Sequence, residues 1–130
     1  MDTEHQGEFS ELVGYSYIHL TTFRKDSSAV QTTVLFAVIG DHVYVQTPKS
    51  AGKTRRITAT GRVLVQPTME DGTPPGKSIL GLGRVVEGRE AEAAVQALHS
   101  KYGEYFASVM AKLATTDEEW ETIQIRAWDE

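Results

Sequence analysis

The residues best suited to chemistry are four cations that lie within eight residues of one another: Lys49, Lys53, Arg55 and Arg56. Their segment overlaps the string TPKSAGKT, which begins at Thr47, although the whole chain has a formal net charge of -5. Lysine and arginine bind phosphate through charge-assisted hydrogen bonds, and the N–H groups at a helix N-terminus add to this. The segment therefore predicts a site for one compact anion, with a solvated basic surface that binds nothing as the alternative.

Two glycine-containing strings resemble nucleotide-binding motifs but lack their setting. TPKSAGKT differs from a P-loop only in having Thr47 where the first glycine belongs. A P-loop needs a parallel strand before its helix, whereas the surrounding pattern predicts antiparallel hairpins. The string Gly81-Leu82-Gly83 lacks the third glycine of a dinucleotide fingerprint and continues as a strand. Neither string indicates nucleotide binding.

Other kinds of catalytic site find little support in the residue types. The chain has no cysteine, which excludes disulfides, thiolate catalysis and thiolate metal sites. No motif frames a serine as a nucleophile, and no titratable side chain stands out as a general acid or base. We predict no metal site, because the histidines are scattered without the spacing of a helical metal pair. They are His5, His19, His42 and His99.

The length and charge limit the class of protein. A chain of 130 residues predicts a single domain, residues 1–130, with residues 1–8 as a flexible N-terminus. The acidic balance argues against nucleic acid as a partner. The longest apolar run, Val34 to Ile39, is too short to cross a bilayer, and the polar start does not resemble a signal peptide. We expect a cytoplasmic protein without a membrane partner.

Alternating and β-branched residues predict six antiparallel strands, which suits a β-barrel with minor helix. A short helix is expected at Phe9 to Gly14, and a second one, capped by Ser50, runs to about Ile57 between the third and fourth strands. From Arg89 apolar residues recur at helical spacing, and this stripe should pack across a barrel end, with a break at Gly103. The stripe consists of Val95, Leu98, Tyr102, Phe106, Val109 and Leu113. The predicted strands are Tyr17–Arg24, Val30–Ile39, His42–Thr47, Arg62–Thr68, Lys77–Glu87 and Trp120–Trp128.

A series of stretches, in order along the chain from residue 12 to 127, resembles one protein family. They are YIHLTTFRKDSS, QTTVLFAV, VYVQTPKSAGKTRRI, EDGTPPGKS, GLGRVVEG and the helix with Lys101-Tyr102-Gly103. The chain resembles the split-barrel proteins related to pyridoxamine 5′-phosphate oxidase, in particular the PPOX-class deazaflavin (coenzyme F-420)-dependent oxidoreductases. It differs from them at Thr33-Val34-Leu35, where the family often has Thr-Pro-Val and an aromatic residue. It also lacks the family's Asn-Pro turn after Ile57.

The resemblance implies a six-stranded antiparallel split β-barrel that forms a homodimer, with a cofactor in the groove between two barrels. The cofactor is coenzyme F-420 or, as second choice, FMN, and the activity is hydride transfer to a small conjugated acceptor. The implied phosphate or acidic-tail contacts are Thr47, Ser50, Lys53 and Arg56, with Arg55 as a further candidate. The implied ring contacts are Thr32, Thr33 and Val34. Two alternatives stay open: a non-catalytic flavin or deazaflavin carrier, and a barrel that acts as an interaction module.

Overall fold

The computed structural model describes residues 8–49, 52–69, 75–113 and 119–128. Within these ranges the chain forms seven strands and three α-helices, together with a 3-10 helix at Glu8–Gly14. The strands are β1 (Tyr17–Phe23), β2 (Ala29–Val34), β3 (Ala37–Ile39), β4 (His42–Pro48), β5 (Arg62–Thr68), β6 (Ile79–Val86) and β7 (Trp120–Ala127). The helices are α1 (Lys53–Thr60), α2 (Gly88–Tyr102) and α3 (Glu104–Leu113).

All of these strands join one antiparallel sheet in the order β2-β1-β5-β6-β7-β4-β3. The strands at its two edges, β2 and β3, are joined in the chain by Leu35 and Phe36 alone. So short a connection forces the sheet to curl until its edges meet, which makes a barrel that is split along one side. Its interior is filled by one apolar cluster: Phe9, Leu12, Ile18, Leu20, Phe36, Val43, Val45, Ile57, Val63, Val65, Ile123, Ile125 and Ala127.

The predicted β-dominated antiparallel split barrel is confirmed, but the strand count of six was wrong by one. The single strand expected from Val30 to Ile39 is two strands, broken at Leu35 and Phe36. The hydroxyl of Tyr102 causes this break, because it satisfies the backbone that a neighbouring strand would otherwise pair. It accepts a hydrogen bond from the Phe36 N–H at 3.1 Å and lies 3.0 Å from the Phe36 carbonyl oxygen.

Helix α1 lies between β4 and β5, as expected, but its N-terminal boundary differs from the prediction. Gly52 caps the helix with a φ of 87°, and the helix continues to Thr60 rather than ending near Ile57. Ser50, the predicted cap, lies outside the described residues. A left-handed φ favours glycine because it has no Cβ, which explains why the cap is Gly52.

The glycines of β6 let neighbouring elements approach closely. A Cβ atom at Gly81 would lie 2.8 Å from the Arg126 carbonyl oxygen. A Cβ at Gly83 would lie 3.3 Å from Ile57 Cδ1, so the absent side chain makes room for α1. The close approach of β7 to β6 therefore depends on Gly81, and the packing of α1 on β6 depends on Gly83.

The predicted helical stripe packs across the end of the barrel, and the expected break falls at Gly103, between α2 and α3. Leu98 and Phe106 are buried against Leu35 and Ala37. No helix in the described ranges is both long and apolar enough to span a bilayer. The expected flexible N-terminus lies outside the described residues, except for the backbone of Glu8.

Candidate functional site

A groove follows the split side of the barrel. Among the described strands, β2 pairs only with β1, and β3 pairs with β4 only along His42–Tyr44. The outer edge of β2 and the second half of β4 therefore border an opening of about 500 Å³, a volume in the range of small-molecule sites. It is lined by Tyr17, Thr32, Thr33, Val34, Leu35, Gln46, Thr47, Pro48, Lys53, Val109 and Met110.

The edge of β2 supplies polar groups that suit a flat, heteroatom-rich ligand. An edge strand carries backbone N–H and C=O groups that have no strand partner on that side. The hydroxyl of Thr33 lies 2.9 Å from Nδ1 of His19, which fixes that side chain. Thr47 on the opposite side is 2 % exposed. A ligand in the groove thus meets ordered hydrogen-bonding groups on both of its sides.

Lys53 is the charged side chain of this groove. It is only 8 % exposed, and among the described residues no carboxylate lies within ion-pair distance of its amine. Helix α1 has no acidic residue in its first turn and no side-chain cap, so the N-terminal end of its dipole adds to the positive potential. Burial lowers the pKa of Lys53, and repulsion from Arg56 lowers it further. A buried cation without a counter-ion is unfavourable unless an anion binds there.

A second, basic depression of about 400 Å³ lies beside α1. It is lined by Arg24, Lys25, Asp26, Arg55, Arg56 and Ala59. Nε of Arg56 donates a 2.6 Å hydrogen bond to the Thr22 hydroxyl, and its guanidinium lies over Gly52. Burial lowers the pKa of Arg56, as do the charges of Arg24 and Arg55. Four cations against one carboxylate give this surface a positive potential next to the groove.

The structure brings most of the predicted site residues together. Thr32, Thr33, Val34, Thr47 and Lys53 all line the groove. Two others, Arg55 and Arg56, line the adjoining depression instead. Ser50 lies outside the described residues.

Sequence reasoning missed two parts of the site. Val109 and Met110 reach the groove from α3, where Val109 was identified only as part of the apolar stripe. Arg24 was assigned to the end of the first strand and Lys25 to the turn that follows it, although two adjacent cations at a strand end were the available signal of a second basic surface. Within the described ranges, no group of three His, Asp or Glu side chains is arranged to hold a metal ion.

Comparisons with known proteins find similarity in structure alone. No protein-family model matches the chain, and no curated protein matches its sequence. A candidate pyridoxamine 5′-phosphate oxidase of Listeria innocua is 17% identical, with a TM-score of 0.59, over 90% of this chain and 87% of that one. HutZ, the heme storage protein of Vibrio cholerae, is 15% identical, with a TM-score of 0.64, over 92% and 87%. An F-420 reductase is 20% identical, with a TM-score of 0.58, over 92% and 93%.

The structural neighbours share an architecture, while the activities and ligands in their names differ. They include an oxidase, a reductase and a heme storage protein. Structural similarity at such low sequence identity shows the fold alone, so the function must be argued from the residues of the site. The chain therefore has the split-barrel fold of the pyridoxamine 5′-phosphate oxidase-like proteins.

Proposed function

We propose that this protein binds a deazaflavin or flavin cofactor in the groove and transfers hydride to a small conjugated acceptor. The observation that carries the proposal is the buried Lys53 amine, which has no described counter-ion and opens into a groove between two strand edges. Such an amine suits the phosphate that both cofactors possess. The cofactor, when bound, supplies the hydride chemistry, and the protein supplies binding and orientation.

The register of the first two strands suggests how the cofactor lies. Arg56 contacts Thr22, which pairs with Val30 at the start of β2, whereas Val34 ends that strand beside Ile18. The four-residue separation corresponds to about 13 Å at the usual rise of a strand. We infer that the phosphate lies near Lys53, while the ring follows Thr32, Thr33 and Val34 toward α3.

The depression beside Arg55 and Arg56 favours F-420 over FMN. Both cofactors carry a phosphate, but F-420 also has an acidic tail that extends beyond it. The cations of this depression continue the positive potential past α1, where such a tail would lie. FMN, which ends at its phosphate, makes no use of them.

We propose that the protein forms a homodimer through an apolar patch on β6 and at the end of β7, strands that lie in the middle of the sheet and away from its split. Two large apolar side chains support a second copy as partner: Leu80 on β6 is 38 % exposed, and Trp128, directly after β7, is 49 % exposed. They lie side by side, because the Trp128 N–H donates to the Leu80 carbonyl oxygen at 3.0 Å. Paired exposed apolar residues are common at subunit contacts.

Equilibrium titration of the purified protein with F-420, FMN and hemin tests this proposal. Hemin serves as comparison because one structural neighbour is a heme storage protein. We expect F-420 to bind most tightly and FMN to bind more weakly, and sedimentation to report a dimer. Binding of hemin alone would refute the proposal.

A turnover assay separates the enzyme from a carrier of the same fold. Reduced cofactor and an acceptor such as 2-cyclohexen-1-one are mixed with the protein, and oxidation of the cofactor is followed by absorbance. Oxidation that requires both protein and acceptor supports the enzyme. Tight binding of reduced cofactor without oxidation across a panel of enones and quinones indicates the carrier.

A further inference from the structure

Two tyrosine hydroxyls meet at the end of the groove where β1 begins, whereas Arg56 of the basic segment contacts Thr22 near the other end of that strand. The hydroxyl oxygens of Tyr17 and Tyr105 are 2.6 Å apart, within the range of an O–H···O hydrogen bond. Tyr17 begins β1, is half-buried and lines the groove. Tyr105 lies on α3 and is 47 % exposed. The pair thus connects the inside of the groove with solvent.

A third tyrosine holds this pair in place. The hydroxyl of Tyr102 donates to the carbonyl oxygen of Ser16 at 2.7 Å, directly before Tyr17. The rings of Tyr102 and Tyr105 lie 6.3 Å apart. Burial raises the pKa of Tyr102 to about 12, so this phenol stays protonated and keeps the start of β1 fixed against the helices. The Tyr17 hydroxyl therefore has a defined position.

The surroundings of Tyr17 define what can bind beside it. Leu35, Val109 and Met110 line this end of the groove and belong with Tyr17 to one apolar cluster. Among the described residues that line the groove, the charged one is Lys53, which begins α1 and lies in the basic segment. An ionised ligand would lose hydration among these side chains without gaining a counter-ion. A neutral compound with one hydrogen-bond-accepting oxygen fits this end.

We propose that Tyr17 is a catalytic residue that delivers a proton to a neutral conjugated carbonyl compound, and that Tyr105 is a positioning residue that relays protons from solvent. The inference rests on the proposed function and adds to it the substrate class and the proton source. Hydride addition to the β-carbon forms a C–H bond and moves the π-electron pair to the carbonyl oxygen. The cofactor, when bound in its reduced form, would supply this hydride and so give up two electrons.

The proton balance follows the two hydroxyls. The proton of Tyr17 forms the new O–H bond, and the resulting enol then tautomerises to the saturated ketone. The Tyr17 phenolate takes a proton from Tyr105 across their hydrogen bond, and water reprotonates Tyr105, which is open to solvent. One hydride and one proton are added to each acceptor molecule.

The variants Tyr17→Phe and Tyr105→Phe test the inference, with Tyr15→Phe as a matched control. Each substitution removes one hydroxyl and keeps the ring, and Tyr15 lines a separate cavity beside Pro67. Without cofactor, the infrared carbonyl stretch of bound 2-cyclohexen-1-one reports the hydrogen bond from Tyr17. We expect a shift to lower frequency in the wild type and in Tyr15→Phe, and loss of that shift in Tyr17→Phe.

Kinetics with bound cofactor provide the second measurement. A missing general acid lowers kcat by about 100-fold or more, while the KM for the enone should change less than about threefold. Tyr105→Phe should lower kcat by a smaller factor and increase the solvent deuterium isotope effect. Equal kcat and equal carbonyl frequencies in Tyr17→Phe and wild type would overturn the inference while leaving the proposed function intact. If the wild type oxidises no cofactor, the proposed function fails. If the carbonyl frequency of the enone bound to the wild type is also unshifted, the role assigned to Tyr17 is refuted as well.

Discussion

The substitution Lys53→Met should weaken cofactor binding and stabilise the free protein. Methionine keeps an unbranched side chain but removes the charge. Loss of a charge-assisted hydrogen bond costs about 1.5–3 kcal/mol, which corresponds to an increase in Kd of about 10- to 150-fold for F-420 or FMN. In the free protein the same change removes a buried charge that has no described counter-ion. The free energy of unfolding should therefore rise by about 1 kcal/mol.

The pH dependence of this stability difference gives a further check. The pKa of Lys53 in the folded chain lies below its ordinary value of 10.5, because burial disfavours the charged amine. Below the folded-state pKa, the wild type is destabilised by the full free energy of burying the charged amine. This destabilisation decreases as the pH rises above that pKa, because the amine becomes neutral. The difference between Lys53→Met and wild type should thus be largest near neutral pH and shrink as the pH approaches 10.5.

Two assays measure these effects: fluorescence titration gives the Kd for each cofactor, and urea unfolding gives the free energy. The matched control is Lys77→Met, because Lys77 is exposed and lies away from the groove. Neither its Kd nor its unfolding free energy should change measurably. Unchanged cofactor binding in Lys53→Met, combined with lower stability, would refute the reasoning and make Lys53 a structural residue.

Three further substitutions or reactions test the scaffold. Tyr102→Phe should lower the free energy of unfolding by about 1–3 kcal/mol, because the Phe36 N–H and the Ser16 carbonyl lose their partner. Tyr15→Phe should change it little, and equal urea midpoints for the two variants would contradict this. Gly81→Ala should cost about 1–3 kcal/mol, because its Cβ would meet a backbone oxygen of β7 at 2.8 Å, whereas a Cβ at Gly14 meets nothing within 4 Å; thermal melts of both alanine variants decide. The amine of Lys101 lies 3.4 Å from the centroid of the buried Phe36 ring. Burial lowers the pKa of this amine to about 8, although the cation–π contact favours the charged form. Trinitrobenzenesulfonate near that pH should therefore label Lys101 first in peptide mapping, and uniform labelling of all lysines would disprove the low pKa.

Local patterns predicted most of the fold because strands and turns have short-range signals. A glycine followed by Asp41 is a local signal of the tight turn found between β3 and β4, and Gly40 has the positive φ of 61° that such a turn requires. The break at Leu35 and Phe36 had no local signal, since both residues are apolar and suit a buried strand. It depends on the hydroxyl of Tyr102, which lies 66 residues further along the chain.

The site shows the same division between local and distant signals. The charge cluster led to Lys53, because cations adjacent in sequence stay adjacent in space. The sequence could not show that Lys53 is buried without a counter-ion among the described residues, because that burial results from the packing of α1 on the barrel. Tyr17 and Tyr105 meet across 88 residues, and no spacing in the sequence indicates that contact. Contacts between distant elements are set by the closure of the barrel, which a local pattern does not encode.

A crystal structure of the protein with F-420 tests the central claim most directly. Our account predicts a phosphate oxygen within hydrogen-bonding distance, about 3 Å, of the Lys53 amine, with the ring system along the edge of β2. A cofactor bound elsewhere, with the Lys53 amine in contact with protein groups alone, would contradict it.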